Sequence, residues 1–178
     1  MRSKILSARN IFVFTAIALA AGSRLIPQEY RFYNFAPVGA LCLFGGACFS
    51  NRLLAYIIPF AALLISDALI GPYGWGMVPV YAAYALIITG GTRLGKKITP
   101  LNVLIGSLAS SIGFFLITNF AFFYSESLYP HNFEGIMASY TAGLKFFRYT
   151  LESDLFFNIV LFGSFYLAQL RFPRLSKI

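Results

Sequence analysis

Apolar residues gather along this chain in six runs, near residues 10–26, 36–50, 53–71, 77–93, 101–124 and 153–171, each bounded by Gly, Pro, Asn or a charged residue. Runs of this length predict membrane-spanning helices, since about 20 residues cross a hydrocarbon layer roughly 30 Å thick. The second run is short, and the fifth is long enough to tilt or to project. Between the last two lies YSESLYPHNFEGIMASYTAGLKFFRYTLESD, too polar to span and too aromatic for a plain linker. It predicts a partly helical external cap. The expected fold is an all-α membrane protein: a six-transmembrane-helix bundle with that cap between helices 5 and 6, forming a single integral membrane domain over residues 1–178.

Composition points to the same solvent. Of the 178 residues, 58% are hydrophobic and only 11% charged, and the mean hydropathy is +0.73, well beyond an ordinary soluble domain. The cations test the number of spans. With both termini cytoplasmic, Arg2, Lys4, Arg9, Arg52, Arg93, Lys96, Lys97, Arg171, Arg174 and Lys177 fall inside, and only Arg24, Arg31, Lys145 and Arg148 outside. That bias is what the positive-inside rule requires of an even number of spans. The net charge of +8 therefore reads as a topology signal with attraction to anionic membrane lipid. It is not a nucleic-acid footprint, because no basic stripe alternates with exposed aromatics.

The first run could be a cleaved signal peptide, since MRSK precedes an apolar core and ALA at 18–20 resembles a cleavage site. An uncleaved span is the favoured reading. Its Ala16-x-x-x-Ala20 and Ala18-x-x-x-Gly22 spacings form a smooth face suited to close helix contact, although alanines that simply fill a crowded bundle fit equally well.

Topology sorts the polar residues by depth. Arg24 ends the first helix, Asn34 and Pro37 open the second, Asp67 lies a turn before the end of the third, Asn119 is near the end of the fifth, and Glu152 and Asp154 open the sixth. All fall in or near the outer third of the bilayer. A polar cluster in one leaflet points to a cavity open to the outside, whereas a channel or proton wire needs polar groups at every depth. Intramembrane carboxylates face the bundle interior and pair, so Asp67 is expected to meet Arg24, or Arg148 from the cap. Such a pair fits helix packing as well as ligand contact. Aromatics crowd the same side, among them Tyr73, Trp75, Phe122, Phe147 and Tyr149. A membrane belt marks both faces, so the asymmetry favours an external pocket able to stack a flat organic ligand.

Enzyme chemistry finds little footing, and no catalytic residue, cofactor or metal is expected. GGTRLGKK at 90–97 nearly spells a phosphate-binding loop, but Lys97 stands where Ser or Thr belongs and the segment follows a membrane helix; it reads as a basic cytoplasmic turn. The single histidine, His131, reads as a solvated loop residue, and Cys42 and Cys48 as small packing residues.

The stretch NFAPVGALCLFGGACFSNRLLAYIIPFAALLISDALIG, residues 34–71, resembles the second and third helices of the substrate-binding membrane subunits of energy-coupling factor (ECF) vitamin transporters. Arg24, Pro27, NFAPVGALCLFGG at 34–46, Asp67, FFLITNF at 114–120 and LFG at 161–163 together resemble a family of small, uncharacterised bacterial membrane proteins. The ECF resemblance implies a small-molecule ligand at the outer face and uptake across the bacterial cytoplasmic (inner) membrane. It also implies ECF-type transmembrane and ATPase partner subunits, docked through Ala16 and Ala20. The expected ligand contacts are Asp67, Asn119, Arg24, Asn34, Tyr73, Trp75 and Arg148. Two rivals remain: a structural or assembly protein without a ligand, and a lipid-modifying enzyme using Asp67, Glu152 and Asp154, which requires at least two of those carboxylates to converge.

Overall fold

The computed structural model describes residues 7–26, 35–71 and 74–176, which are helical with no strand among them. Six α-helices follow one another: α1 (Ala8–Gly22), α2 (Val38–Cys48), α3 (Arg52–Ile70), α4 (Met77–Leu94), α5 (Pro100–Thr118) and α6 (Phe133–Arg171). Three of them, α3, α5 and α6, are long and apolar enough to cross a membrane. Large apolar side chains stand outward on them, with Ile65, Leu101 and Ile159 each more than half exposed. A surface of this kind is stable against lipid and unstable in water.

Helix starts follow local chemistry. Ser7, Asn51, Thr99 and Asn132 cap α1, α3, α5 and α6 by accepting from the backbone N–H of Asn10, Leu53, Asn102 and Gly135. Pro100 opens α5, where its missing N–H costs nothing. At its other end α3 stops on Gly71, whose φ of 117° suits a residue without Cβ.

The helices run alternately up and down. Arg9 of α1 donates to the Cys48 carbonyl at the end of α2 (2.6 Å), so those two are antiparallel. Tyr56 of α3 meets Thr89 of α4 at 2.9 Å, and Tyr81 reaches Asp67 near the other end, so this pair is antiparallel too. Along α5 and α6, Ser107 faces Asn158 and Ser111 faces Asp154. At the centre sits α2, every residue of which is buried. Phe44 packs edge-on against Phe162 and Phe165 of α6 at 5.2 and 5.9 Å.

Two elements differ from expectation. The fifth run does not stay helical to residue 124: α5 ends at Thr118, because the Asn119 side chain turns back to the Phe115 carbonyl (3.0 Å) and closes the last turn. The predicted cap is not separate from the sixth helix. Its second half and that helix form one 39-residue element, about 58 Å long at 1.5 Å per residue. Nothing from Phe133 to Arg171 interrupts it, since that stretch contains no proline. The basic turn read in GGTRLGKK is confined to residues 95–97, where the 77–93 run also leaves it. Gly90 to Leu94 belong to α4, and Gly91 lies against the Leu43 carbonyl and Gly46 of α2, closer than any Cβ allows.

Candidate functional site

Where α1, α3 and α5 end, the bundle opens into a cavity of about 780 Å³. The start of α4, the last two turns of α5 and the middle of α6 wall it. The first turn of α2 forms its floor, and the 119–132 connection contributes Tyr124, Leu128 and Tyr129. Among the described residues, two charged ones reach its surface, Arg24 and Asp154.

Arg24 follows α1 in a single 3-10 turn, Ser23–Leu25. Its guanidinium donates to the Asp67 carboxylate at 2.7 Å and also to the Ser66 hydroxyl. The second Asp67 oxygen accepts from the Tyr81 hydroxyl at 2.7 Å. Ser66 passes its own hydrogen to the Leu63 carbonyl at 2.9 Å. With side-chain exposures of 14% and 4%, Arg24 and Asp67 form a part-buried ion pair in which the arginine meets the cavity and the aspartate stands behind it. Asp67 therefore positions Arg24 and ties α1, α3 and α4 together.

Asp154 sits on α6 at the cavity floor, against the N-terminal turn of α2. One of its oxygens accepts from the Ala40 backbone N–H (3.1 Å) and the other from the Ser111 hydroxyl (2.7 Å). Gly39 makes this approach workable, since a Cβ there would fall on the carboxylate. Ser153 adds a bond to the Ala36 carbonyl at 2.8 Å, fixing α6 to the strap before α2. One turn further along α6, Asn158 donates to the Ser107 hydroxyl at 2.9 Å, and its own oxygen is buried without a partner among the described residues.

Aromatic side chains make much of the remaining wall. Tyr84 stacks on Phe114 with ring centroids 5.0 Å apart, and Phe115 lies 4.9 Å from Phe147. At the rim the Tyr124 hydroxyl donates to the Thr118 carbonyl (2.9 Å). Burial, with Tyr129 nearby, pushes its phenol above the ordinary value, so it remains a donor. His131 holds this connection together: it stacks on Phe122 at 4.6 Å, meets Glu126 at 3.3 Å and contacts the Tyr124 carbonyl at 3.0 Å. It is an exposed loop residue, as its reading from sequence has it, and it also braces the connection.

The expected contacts distribute unevenly. Arg24 and Asn119 lie on the cavity wall, and Asp67 joins them through Arg24. Trp75 is 90% exposed on the turn before α4 and stands apart from the cavity. Arg148 points outward and pairs with Glu152 on its own helix (2.8 Å), a hydrogen bond that raises its pKa. Asn34 and Tyr73 lie outside the described residues. Ala16 and Ala20 pack partly against the core of their own bundle, while Ala18 and Gly22 line a shallow apolar groove between α1 and α3. Asp154, which lines the cavity, was not among the expected contacts because it reads as a helix-opening acid. Its signal was the spacing Asp154, Asn158, Leu161, Phe165, one face of a helix.

The family described as "Family of unknown function (DUF6580)" matches residues 4–175, nearly the whole chain. The chain belongs to that family. Among curated proteins and solved structures, none matches it. For this DUF6580 member the geometry of the cavity is accordingly the main guide to function.

Proposed function

We propose that this protein binds a vitamin or related micronutrient and serves its uptake across the bacterial cytoplasmic membrane, in the manner of an ECF-type substrate-binding subunit. The cavity of about 780 Å³ carries the reading: it is concave, aromatic-walled and furnished with a few convergent polar groups, as small-molecule sites are. On this reading all six helices cross the membrane, the 119–132 connection and the first half of α6 form a cap on the outer side, and both termini are cytoplasmic. The alternating helix directions support that topology. So does the gathering of Arg9, Arg52, Arg93, Lys96, Lys97, Arg171 and Arg174 away from the cavity. Energy for uptake would come from separate transmembrane and ATPase subunits. They would meet α1 along Ala16 and Ala20, with Ala18 and Gly22 beside them.

A structural role without a ligand draws on a different observation, that Arg24, Asp67, Ser66 and Tyr81 satisfy one another. One experiment separates the two. The protein is purified from its native host and analysed by mass spectrometry for bound small molecules and companion proteins. Uptake predicts one organic compound in near-equal amount and an ATPase subunit; purification of the bare chain alone overturns it.

A further inference from the structure

One carboxyl on the cavity floor, that of Asp154, has no cation beside it among the described residues. Arg24 reaches the cavity surface already bound to Asp67 at 2.7 Å, so that pair is neutral as a unit. Asp154 reaches it too, and among the described residues no cation pairs with it. Its two hydrogen bonds, from Ala40 N–H and the Ser111 hydroxyl, occupy two of the roughly four lone-pair positions of a carboxylate. The N-terminus of α2 offsets the charge only in part, since a helix end is worth about half an elementary charge. A carboxylate in this position is costly alone, and a cation seated beside it offsets that cost. Close by stand ring faces, Tyr84 on Phe114 and Phe115 beside Phe147, which attract cations as well as flat rings.

We propose that the cavity takes a small organic cation built on a flat ring, with a protonated amine or a cationic ring nitrogen directed at Asp154 and the ring held among Tyr84, Phe114, Phe115 and Phe147. This rests on the small-molecule reading above and narrows it. An anionic ligand meets the opposite of what it needs, because the Arg24 guanidinium is engaged with Asp67 and the other ionisable group on the wall, Asp154, is an acid.

The test is calorimetric titration of the detergent-purified full chain with three probes that share one ring system: naphthylmethylamine as cation, naphthylmethanol as neutral and naphthylacetate as anion. The amine is expected to bind about tenfold more tightly than the alcohol, with the acetate weakest. In Asp154→Asn the advantage of the amine over the alcohol should vanish. If the alcohol or the acetate matches the amine in the wild type, or the advantage survives in Asp154→Asn, the cation assignment is wrong while a small-molecule site stands. Binding of none of the three removes both. Should Asp154→Asn fail to fold, the order of the three probes on the wild type decides alone.

Discussion

Asp67 is buried behind Arg24, and that sets what happens when one of the pair is removed. Arg24→Gln leaves a carboxylate deep in the bundle without its cation, which costs about 3–5 kcal/mol. Thermal unfolding in detergent should show a large drop for this variant. The double variant Arg24→Leu with Asp67→Leu removes both desolvation penalties and should recover most of the loss; a double as unstable as the single would mean that the pair is not coupled. The Ser107–Asn158 bond at 2.9 Å is a neutral counterpart. Ser107→Ala deprives a buried amide of its acceptor and should cost about 1–3 kcal/mol, whereas Ser107→Ala combined with Asn158→Leu should be nearly neutral. The same unfolding measurement checks this pair.

Among the elements, α2 and α4 form the tightest contact, and it rests on particular glycines. A Cβ on Gly91 would strike the Leu43 carbonyl and Gly46 of α2, both backbone, while Gly90 next to it faces open space. Gly91→Ala should therefore destabilise by about 1–3 kcal/mol through overpacking. Gly90→Ala should be neutral or gain up to about 1 kcal/mol from helix propensity. Equal effects at the two positions would show that α4 does not press on α2 through this face. The glycines in GGTRLGKK were visible in the sequence, yet the adjacent Arg93, Lys96 and Lys97 made the segment look like a loop. Apolar runs located all six helices, because the long apolar stretches are a property of sequence alone. The joining of the cap to α6 was hidden by Glu152, Ser153 and Asp154, a cluster that looks like a helix start. The real start is Asn132 with Glu134 in the first turn, just after Pro130, and those signals were also present. Depth alone could place Arg24 and Asn119 near the cavity whose wall they line. Asp154 needed its partners Ser111 and Ala40, from two other helices, which no local pattern displays.

For the molecule as a whole, the length of α6 decides where water begins. At about 58 Å it exceeds a hydrocarbon layer of roughly 30 Å by nearly a factor of two, so part of it must stand outside if the rest spans. The apolar stretch after Asp154 fits the lipid, and the stretch from Phe133 to Glu152, with Glu134, Lys145 and Arg148, fits water. Cysteine labelling can read this directly, because both native cysteines, Cys42 and Cys48, are free and fully buried, which leaves a low background. Met137 is 50% exposed and Ile159 is 72% exposed, so sterics permit labelling at either position. Only the solvent differs. On intact cells a membrane-impermeant maleimide should label Met137→Cys and spare Ile159→Cys, since a thiol facing hydrocarbon is neither ionised nor reached by a charged reagent. Labelling of Ile159→Cys would place that face in water. Labelling of Met137→Cys only after the cells are broken would turn the bundle over, and the cavity would then open toward the cytoplasm, where a subunit for uptake has no use for it.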